Sequence, residues 1–329
     1  MSRYYPETKA VLFTSSRPYS RAENITAVYD AYDGPKEFVQ VSPWAPQKAI
    51  ASKTFALRVT DEFITSSPGR AVMIGHGIAG GKTYGLDQPH PYHRAESGKL
   101  LTYVITTSAR MRSLVARQSG VSEDAVLPLG MPRTDAYIGK KKGDGRTALA
   151  GFRSYLYVPT YRAKEETPMP LVDWHLIDSL LEDGELLAVK PHMVTGTILP
   201  PGRYNHISEL PTNEPSARFL YDCDVVITDY SSIMFDAYLL KKPVVLFEKC
   251  AGYLQTRGMY LDYPYGYSSR YCTDEESLIR TIRKADALGK TEKDVIELVA
   301  GACDGHSSKR VCDLIRRIIH EGSDSCPNL

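Results

Sequence analysis

The stretch DVVITDYSSIMFDAYLLKKPVVLFE, residues 224–248, decides the fold. Its first apolar run, DVVIT, is β-branched and of strand length, and the second, PVVLFE, is the same kind of segment. Between them SSIMFDAYLL has helical length and ends on Lys241-Lys242-Pro243, which a helix cannot continue through. Strand, helix and strand in that order make a crossover unit, and such units build parallel sheets. Asp229 is delivered to the carboxyl edge of the sheet, and Ser231 and Ser232 open the helix. The free N–H groups of that first turn, with the two hydroxyls, would form an anion site suited to phosphate. Plain capping by Asp and Ser explains the same residues, and both readings stay open. Asp229 itself would repel a phosphate, so it is cast as a cap, a loop-orienting acceptor or a partner for a ligand hydroxyl.

The alternation extends outward in both directions. Strands are expected at KAVLFTS, EFVQVS, RAVMIGHG, LLTYVITTS and DAVLPLG in the first half. SARMRSLVARQSG reads as a helix capped by Ser108 and stopped by Gly120. The second half gives strands SYLYVPT, ELLAVKPH, NHISEL, DVVITD and PVVLFE with helices DWHLIDSLL, PSARFLYDC and SSIMFDAYLL, then three closing helices. The predicted architecture is α/β, with two Rossmann-like doubly wound domains facing a central cleft. The boundaries expected are 1–138 for the first domain, 139–150 for a Lys- and Gly-rich linker, 151–305 for the second domain, and 306–329 for a C-terminal helix packing back toward the first. In such folds ligands bind outside the carboxyl ends of the strands.

Bulk properties limit the functions available. The chain has 329 residues, enough for two cores, with 43% hydrophobic and 24% charged residues, as in an ordinary folded protein. A net charge of +1 argues against a strongly basic nucleic-acid binder. The basic runs KKKGDGR (140–146) and RTIRKADALGK (280–290) read as solvated faces. Cys223, Cys250, Cys272, Cys303, Cys312 and Cys326 lack metal-type spacing and read as small buried groups. No apolar run reaches membrane-spanning length and no secretory leader is visible, so a cytoplasmic protein is expected.

Two histidines stand at strand exits, one in each half. GHGIAGGKT, residues 75–83, places His76 between Gly75 and Gly77, where the backbone can approach a ligand closely, and Lys82 follows. Its Gly-rich, Lys-Thr ending does not have the P-loop spacing G-x-x-x-x-G-K-S/T, and that reading is rejected. His192 follows LLAVKP beside Lys190. Either histidine alone could be structural. One per half, at a strand exit, is the arrangement a cleft enzyme would use.

Taken together, DYSSIMFDAYLLKKPVVLFE, RGMYLDYP (257–264), DGHSSKRVCDLI (304–315), LPLGMPRTD (127–135), YVPTYR (157–162) and VKPH (189–192) resemble the CDP-glycerol glycerophosphotransferases of teichoic acid and capsule synthesis. The resemblance runs in order from about Gly75 to the C-terminus. Two positions depart from the family pattern: Gly75 precedes His76 where the family has Trp, and Tyr161 precedes Arg162 where it has Trp. The N-terminal region also looks short of the basic membrane-contacting segment of many relatives, so at most peripheral membrane association, at the inner face of the membrane, is expected.

The resemblance implies a glycosyltransferase-B architecture, with the donor held by the second half and the acceptor approaching the first. It implies attack by a hydroxyl of a glycan or lipid-linked acceptor on the β-phosphorus of CDP-glycerol or a related CDP-alditol, releasing CMP. No metal, cofactor or nucleic acid enters that chemistry. A hydroxyl needs a base of near-neutral pKa, which suits His76; His192, with Ser231 and Ser232, would stabilise charge on the leaving oxygen. Ser307 and Ser308 open a second helix that could face the phosphates, and Arg257 could pair with phosphate or with Asp262. Gly77, Lys82, Arg133, Arg162 and Lys190 complete the cleft candidates. Competing readings are a nucleotide-sugar glycosyltransferase or epimerase of the same fold, and a non-catalytic nucleotide or glycan-binding protein.

Overall fold

The computed structural model describes residues 10–21, 23–41, 55–62, 64, 70–75, 77–81, 98–160, 171–192, 195–249 and 258–321. In chain order the first elements are β1 (Val11–Ser15), α1 (Glu23–Ala31), β2 (Lys36–Gln40), β3 (Leu57–Thr60), β4 (Ala71–Met73), β5 (Tyr103–Ile105), α2 (Arg112–Ser119) and β6 (Val126–Leu127). There follow β7 (Arg153–Tyr157), α3 (Trp174–Leu180), β8 (Glu185–Val189), β9 (Ile207–Glu209), α4 (Ser216–Asp222), β10 (Val225–Thr228), α5 (Ile233–Leu239), β11 (Val244–Phe247), β12 (Tyr271–Cys272), α6 (Glu275–Arg283), α7 (Lys290–Ala300) and α8 (Ser307–Glu321).

Among the described residues two six-stranded sheets result, ordered β2-β1-β3-β4-β5-β6 and β12-β11-β10-β7-β8-β9. Every paired neighbour is parallel. Parallel strands are covered on both faces, which is why β1, β10 and β11 are buried throughout and read as unbroken apolar runs. β3 is buried throughout as well but is not an apolar run. Arg58 interrupts its apolar run, yet the residue is buried and its Nε donates to Thr14 Oγ1 at 3.0 Å. Burial lowers its pKa to about 10. A charged residue inside a central strand explains why LRVT was not among the expected strands.

Caps follow local chemistry. Ser108 Oγ accepts from Arg110 N in a short 3₁₀ turn, Ala109–Met111, that leads into α2. Gly120 closes α2 in the left-handed region, φ 70°, and its N–H returns to Ala116 O.

The described residues within Met1–Ala79, Gln88–Ala136 and Leu298–Leu329 form one compact unit, and those within Gly80–Asp87 and Tyr137–Glu297 the other. The first core gathers Val11, Phe13, Val59, Val72 and Ile105 with Ile25 and Val28 of α1 and Val311, Leu314, Ile315 and Ile318 of α8. The chain therefore returns to the first unit within α7, earlier than the expected division at 305. The second core joins Tyr155, Leu187, Val225, Ile227 and Val245 to Trp174 and Ile177 of α3 and Leu278 and Ile282 of α6. The Tyr-rich run 260–272 packs within this unit, with the Tyr263 and Tyr230 rings 4.8 Å apart and Tyr267 fully buried.

The segment 139–150, expected as a linker, is fastened to the second unit. Buried Asp222 accepts from Gly143 N (2.9 Å), Gly145 N (3.0 Å), Thr147 N (2.6 Å) and Thr147 Oγ1 (2.6 Å). Burial works against the ionised carboxyl, but these donors outweigh it and hold the pKa below the ordinary value. Lys142 Nζ adds an ion pair to Asp224 at 2.7 Å. Cys223, Cys272, Cys303 and Cys312 are buried free thiols. Among the described residues no helix is long and apolar enough to cross a membrane.

Candidate functional site

Counted in chain order from β7, the second sheet runs 3-2-1-4-5-6, and the order reverses between β7 and β10. That reversal is where doubly wound sheets bind ligands, because the connecting segments leave in opposite directions and open a crevice. Asp229, only 2% exposed, lies at this point. Its Oδ1 accepts from Thr160 N (2.8 Å), after β7, and from Tyr230 N (2.7 Å), after β10. One carboxylate thus ties the two strand exits together, and these bonds orient the loops rather than cap α5. Ser231 Oγ accepts from Ile233 N at 3.4 Å, while the Ser232 side chain makes no capping bond. Both serines are partly exposed.

At the end of neighbouring β8, His192 is exposed and its carbonyl accepts from Thr195 N (2.9 Å) and Gly196 N (3.3 Å), forming a turn. Lys190 lies at the same strand end. It is 3% exposed and its Nζ donates to Pro191 O and Thr212 O, each at 3.3 Å, two backbone carbonyls near the β8 exit. At the β11 exit Glu248 accepts from the Tyr230 phenol and, at 2.7 Å, from the Tyr271 phenol. Burial first, then the bond to Glu248, pushes both phenol pKa values up, so both stay donors at neutral pH.

In the first unit the strand order reverses between β1 and β3. Ser15 Oγ donates to Asp61 Oδ2 there at 2.9 Å. Asp61 is 3% exposed, and burial pushes its pKa up to about 6 against the opposing Ser15 bond. Gly75 and Gly77 leave β4. Buried Asn24, in the first turn of α1, donates from Nδ2 to Gly75 O (3.1 Å) and accepts at Oδ1 from Arg133 N (3.0 Å). Arg133 is half-buried in a 3₁₀ turn, Pro132–Ala136. Gly130 precedes that turn at φ 88°, where a side chain would run into Ser307 Oγ and Ala302 O.

Ser307 and Ser308 lie in the first unit. Their N–H groups donate to Asp135 Oδ1 (2.9 Å) and Oδ2 (2.7 Å), and Ser307 is fully buried. A carboxylate of the same unit thus accepts the first two N–H groups of α8. His76, Lys82, Arg162 and Arg257 lie outside the described residues.

Asn24, Asp61 and Glu248 were absent from the sequence-based candidates. Two carried a legible signal: LRVTD and VVLFE place an acid directly after a strand, as VVITD does for Asp229. Asn24 carried none, since its partners are 51 and 109 residues away. Among the described residues no group of three or more His, Cys, Asp or Glu is placed to hold a metal ion.

The sequence pattern of the CDP-Glycerol:Poly(glycerophosphate) glycerophosphotransferase family matches residues 49–317. The chain belongs to this family. A teichoic acid glycerol-phosphate primase of Bacillus subtilis (strain 168) is 28% identical over 223 residues, which is 66% of this chain and 58% of that protein. A teichoic acid poly(ribitol-phosphate) polymerase of Bacillus spizizenii is 24% identical over 265 residues, 74% of this chain and 42% of its own length. The chain thus spans about half the length of these relatives. The solved wall teichoic acid polymerase TagF superposes with a TM-score of 0.77 at 18% identity, covering 96% of this chain and 90% of that one. This family member has that protein's glycosyltransferase-B fold.

Proposed function

We propose that the protein transfers glycerol phosphate, or another polyol phosphate, from a CDP-activated donor to a hydroxyl of a glycan or lipid-linked acceptor in cell-wall polymer synthesis. The family match over residues 49–317 carries this reading. The β7/β10 switch point supports it, with partly exposed Ser231 and Ser232 beside two strand exits that Asp229 holds in place. In the reaction the acceptor oxygen bonds to the β-phosphorus as the phosphoanhydride bond to CMP breaks, and the hydroxyl proton passes to His76. The phosphoanhydride electrons leave on CMP, whose developing charge His192 and the Ser231–Ser232 amides and hydroxyls would stabilise. Phosphoryl transfer needs little more than such positioning and charge compensation.

His76, Lys82, Arg162 and Arg257 belong to this proposal through the sequence pattern alone. Glu248, held by two phenols, is better suited to accept a hydroxyl of the donor than to approach its phosphates. Peripheral association with the inner membrane face follows from a lipid-linked acceptor and is part of the proposal. The deciding assay incubates the protein with CDP-glycerol, CDP-ribitol or common UDP-sugars and identifies the nucleotide released. CMP with an alditol donor is expected; UDP instead would replace the reading with a nucleotide-sugar enzyme. His76→Ala should lower CMP release by about 100-fold or more, and full turnover in that variant would remove the base assignment.

A further inference from the structure

We infer that Asn24 is a positioning residue for the transfer reaction, clamping the peptide that leads into His76 to the peptide that leads into Arg133. The inference rests on the proposed role of His76 as base. Asn24 is 3% exposed, and its two amide ends are used differently: Nδ2 donates to Gly75 O at 3.1 Å and Oδ1 accepts from Arg133 N at 3.0 Å. The first partner requires a donor and the second an acceptor, a pairing that a carboxamide supplies and a carboxylate or alkyl group does not. Each partner atom belongs to a planar peptide unit, so fixing Gly75 O orients the plane that ends on the α-carbon of residue 76. Fixing Arg133 N does the same for the Pro132–Arg133 unit.

The surrounding bonds show what Asn24 adds. Ile74 N is held by Thr60 O at 2.8 Å, the last sheet bond before Gly75, and beyond it the chain has left the sheet. On the other side the turn is secured from α8: Asp135 accepts from Ser307 N and Ser308 N, and Arg310 Nε donates to Leu129 O at 2.9 Å. The Arg133 end is therefore braced independently, whereas Asn24 couples it to the β4 exit. Glycine on the β4 side allows more backbone conformations than any other residue would, so a tether there has a large freedom to remove. Loosening it releases the Gly75 peptide unit to which residue 76 is joined, and displacements of about 1 Å at a reacting group can cost about 100-fold in rate.

The experiment measures kcat and the donor KM by CMP release from CDP-glycerol for Asn24→Ala, isosteric Asn24→Asp, His76→Ala and the double variant Asn24→Ala/His76→Ala, with thermal unfolding alongside. Expected are folded single Asn24 variants with kcat down about tenfold or more, donor KM changed less than about threefold, and no further loss from Asn24→Ala in the His76→Ala background. Asn24→Asp keeps the acceptor for Arg133 N but loses the donor to Gly75 O, so it alone decides the matter if the alanine variant does not fold. Turnover within twofold of wild type in a folded Asn24 variant overturns the inference, as does a loss that multiplies in full on His76→Ala. Full turnover in single His76→Ala would instead remove the reading on which the inference rests.

Discussion

Replacing Asp229 with alanine should unlace the switch point of the second sheet. The carboxylate is 2% exposed and accepts two backbone N–H groups, from Thr160 at 2.8 Å and Tyr230 at 2.7 Å. Hydrogen bonds to a charged group contribute roughly 1.5–3 kcal/mol each, and alanine leaves both donors buried without this acceptor, so a loss of about 3–6 kcal/mol is expected. Asparagine retains a neutral acceptor, worth about 0.5–1.5 kcal/mol per bond, and should recover part of that loss. The chain has two tryptophans, and in a Trp44→Phe background the remaining one is Trp174, 7% exposed in the second core. Its fluorescence in urea then follows that unit, and midpoint and slope together give the free energy. A loss under about 1 kcal/mol for Asp229→Ala, or equal losses for alanine and asparagine, would refute the assignment of these two bonds as the source of order at the β7 and β10 exits.

Two pH dependences of opposite sign follow from half-buried Glu185 and buried Asp61. Burial raises the pKa of Glu185, but Arg283 at 2.6 Å, the Tyr155 phenol and Glu182 N outweigh it and hold it at about 2, against an ordinary 4.5. This contribution, about 3 kcal/mol, is complete above the unfolded pKa and disappears as pH falls from about 5 toward 2. The stability difference between wild type and Glu185→Gln should shrink over that range in urea titrations, and a constant difference would exclude it. Asp61 behaves oppositely, because its folded pKa of about 6 lies above the ordinary 3.8. The folded state keeps a proton that the unfolded chain releases, so stability falls as pH rises through that window. Asp61→Asn should therefore gain about 2 kcal/mol relative to wild type between pH 4 and pH 7, read from thermal unfolding at each pH; parallel pH curves for the two proteins would count against it.

Much of the architecture was legible along the chain because parallel strands are buried on both faces and therefore spell continuous apolar words. VVIT, VVLF and VLFTS could be read at once, and the helix signals at Ser108 and Gly120 were equally local. Asp229, Ser231 and His192 could be nominated because a strand exit is visible in sequence. LRVT could not, since Arg58 spoils the pattern and is tolerated through Thr14, a partner 44 residues away.

The same contrast separates the site's composition from its assembly. Residue type and local spacing determine which groups stand at the strand ends, because strand, turn and cap preferences act over a few neighbouring residues. They do not reveal that Ser307 and Ser308 donate their amides to Asp135, that Lys190 donates to the Pro191 and Thr212 carbonyls, or that segment 139–150 wraps Asp222. Those outcomes depend on partners brought close by folding from 75 or more positions away for Asp222 and 172 for Asp135. A hydrogen bond depends on distance in space, which separation along the chain does not encode.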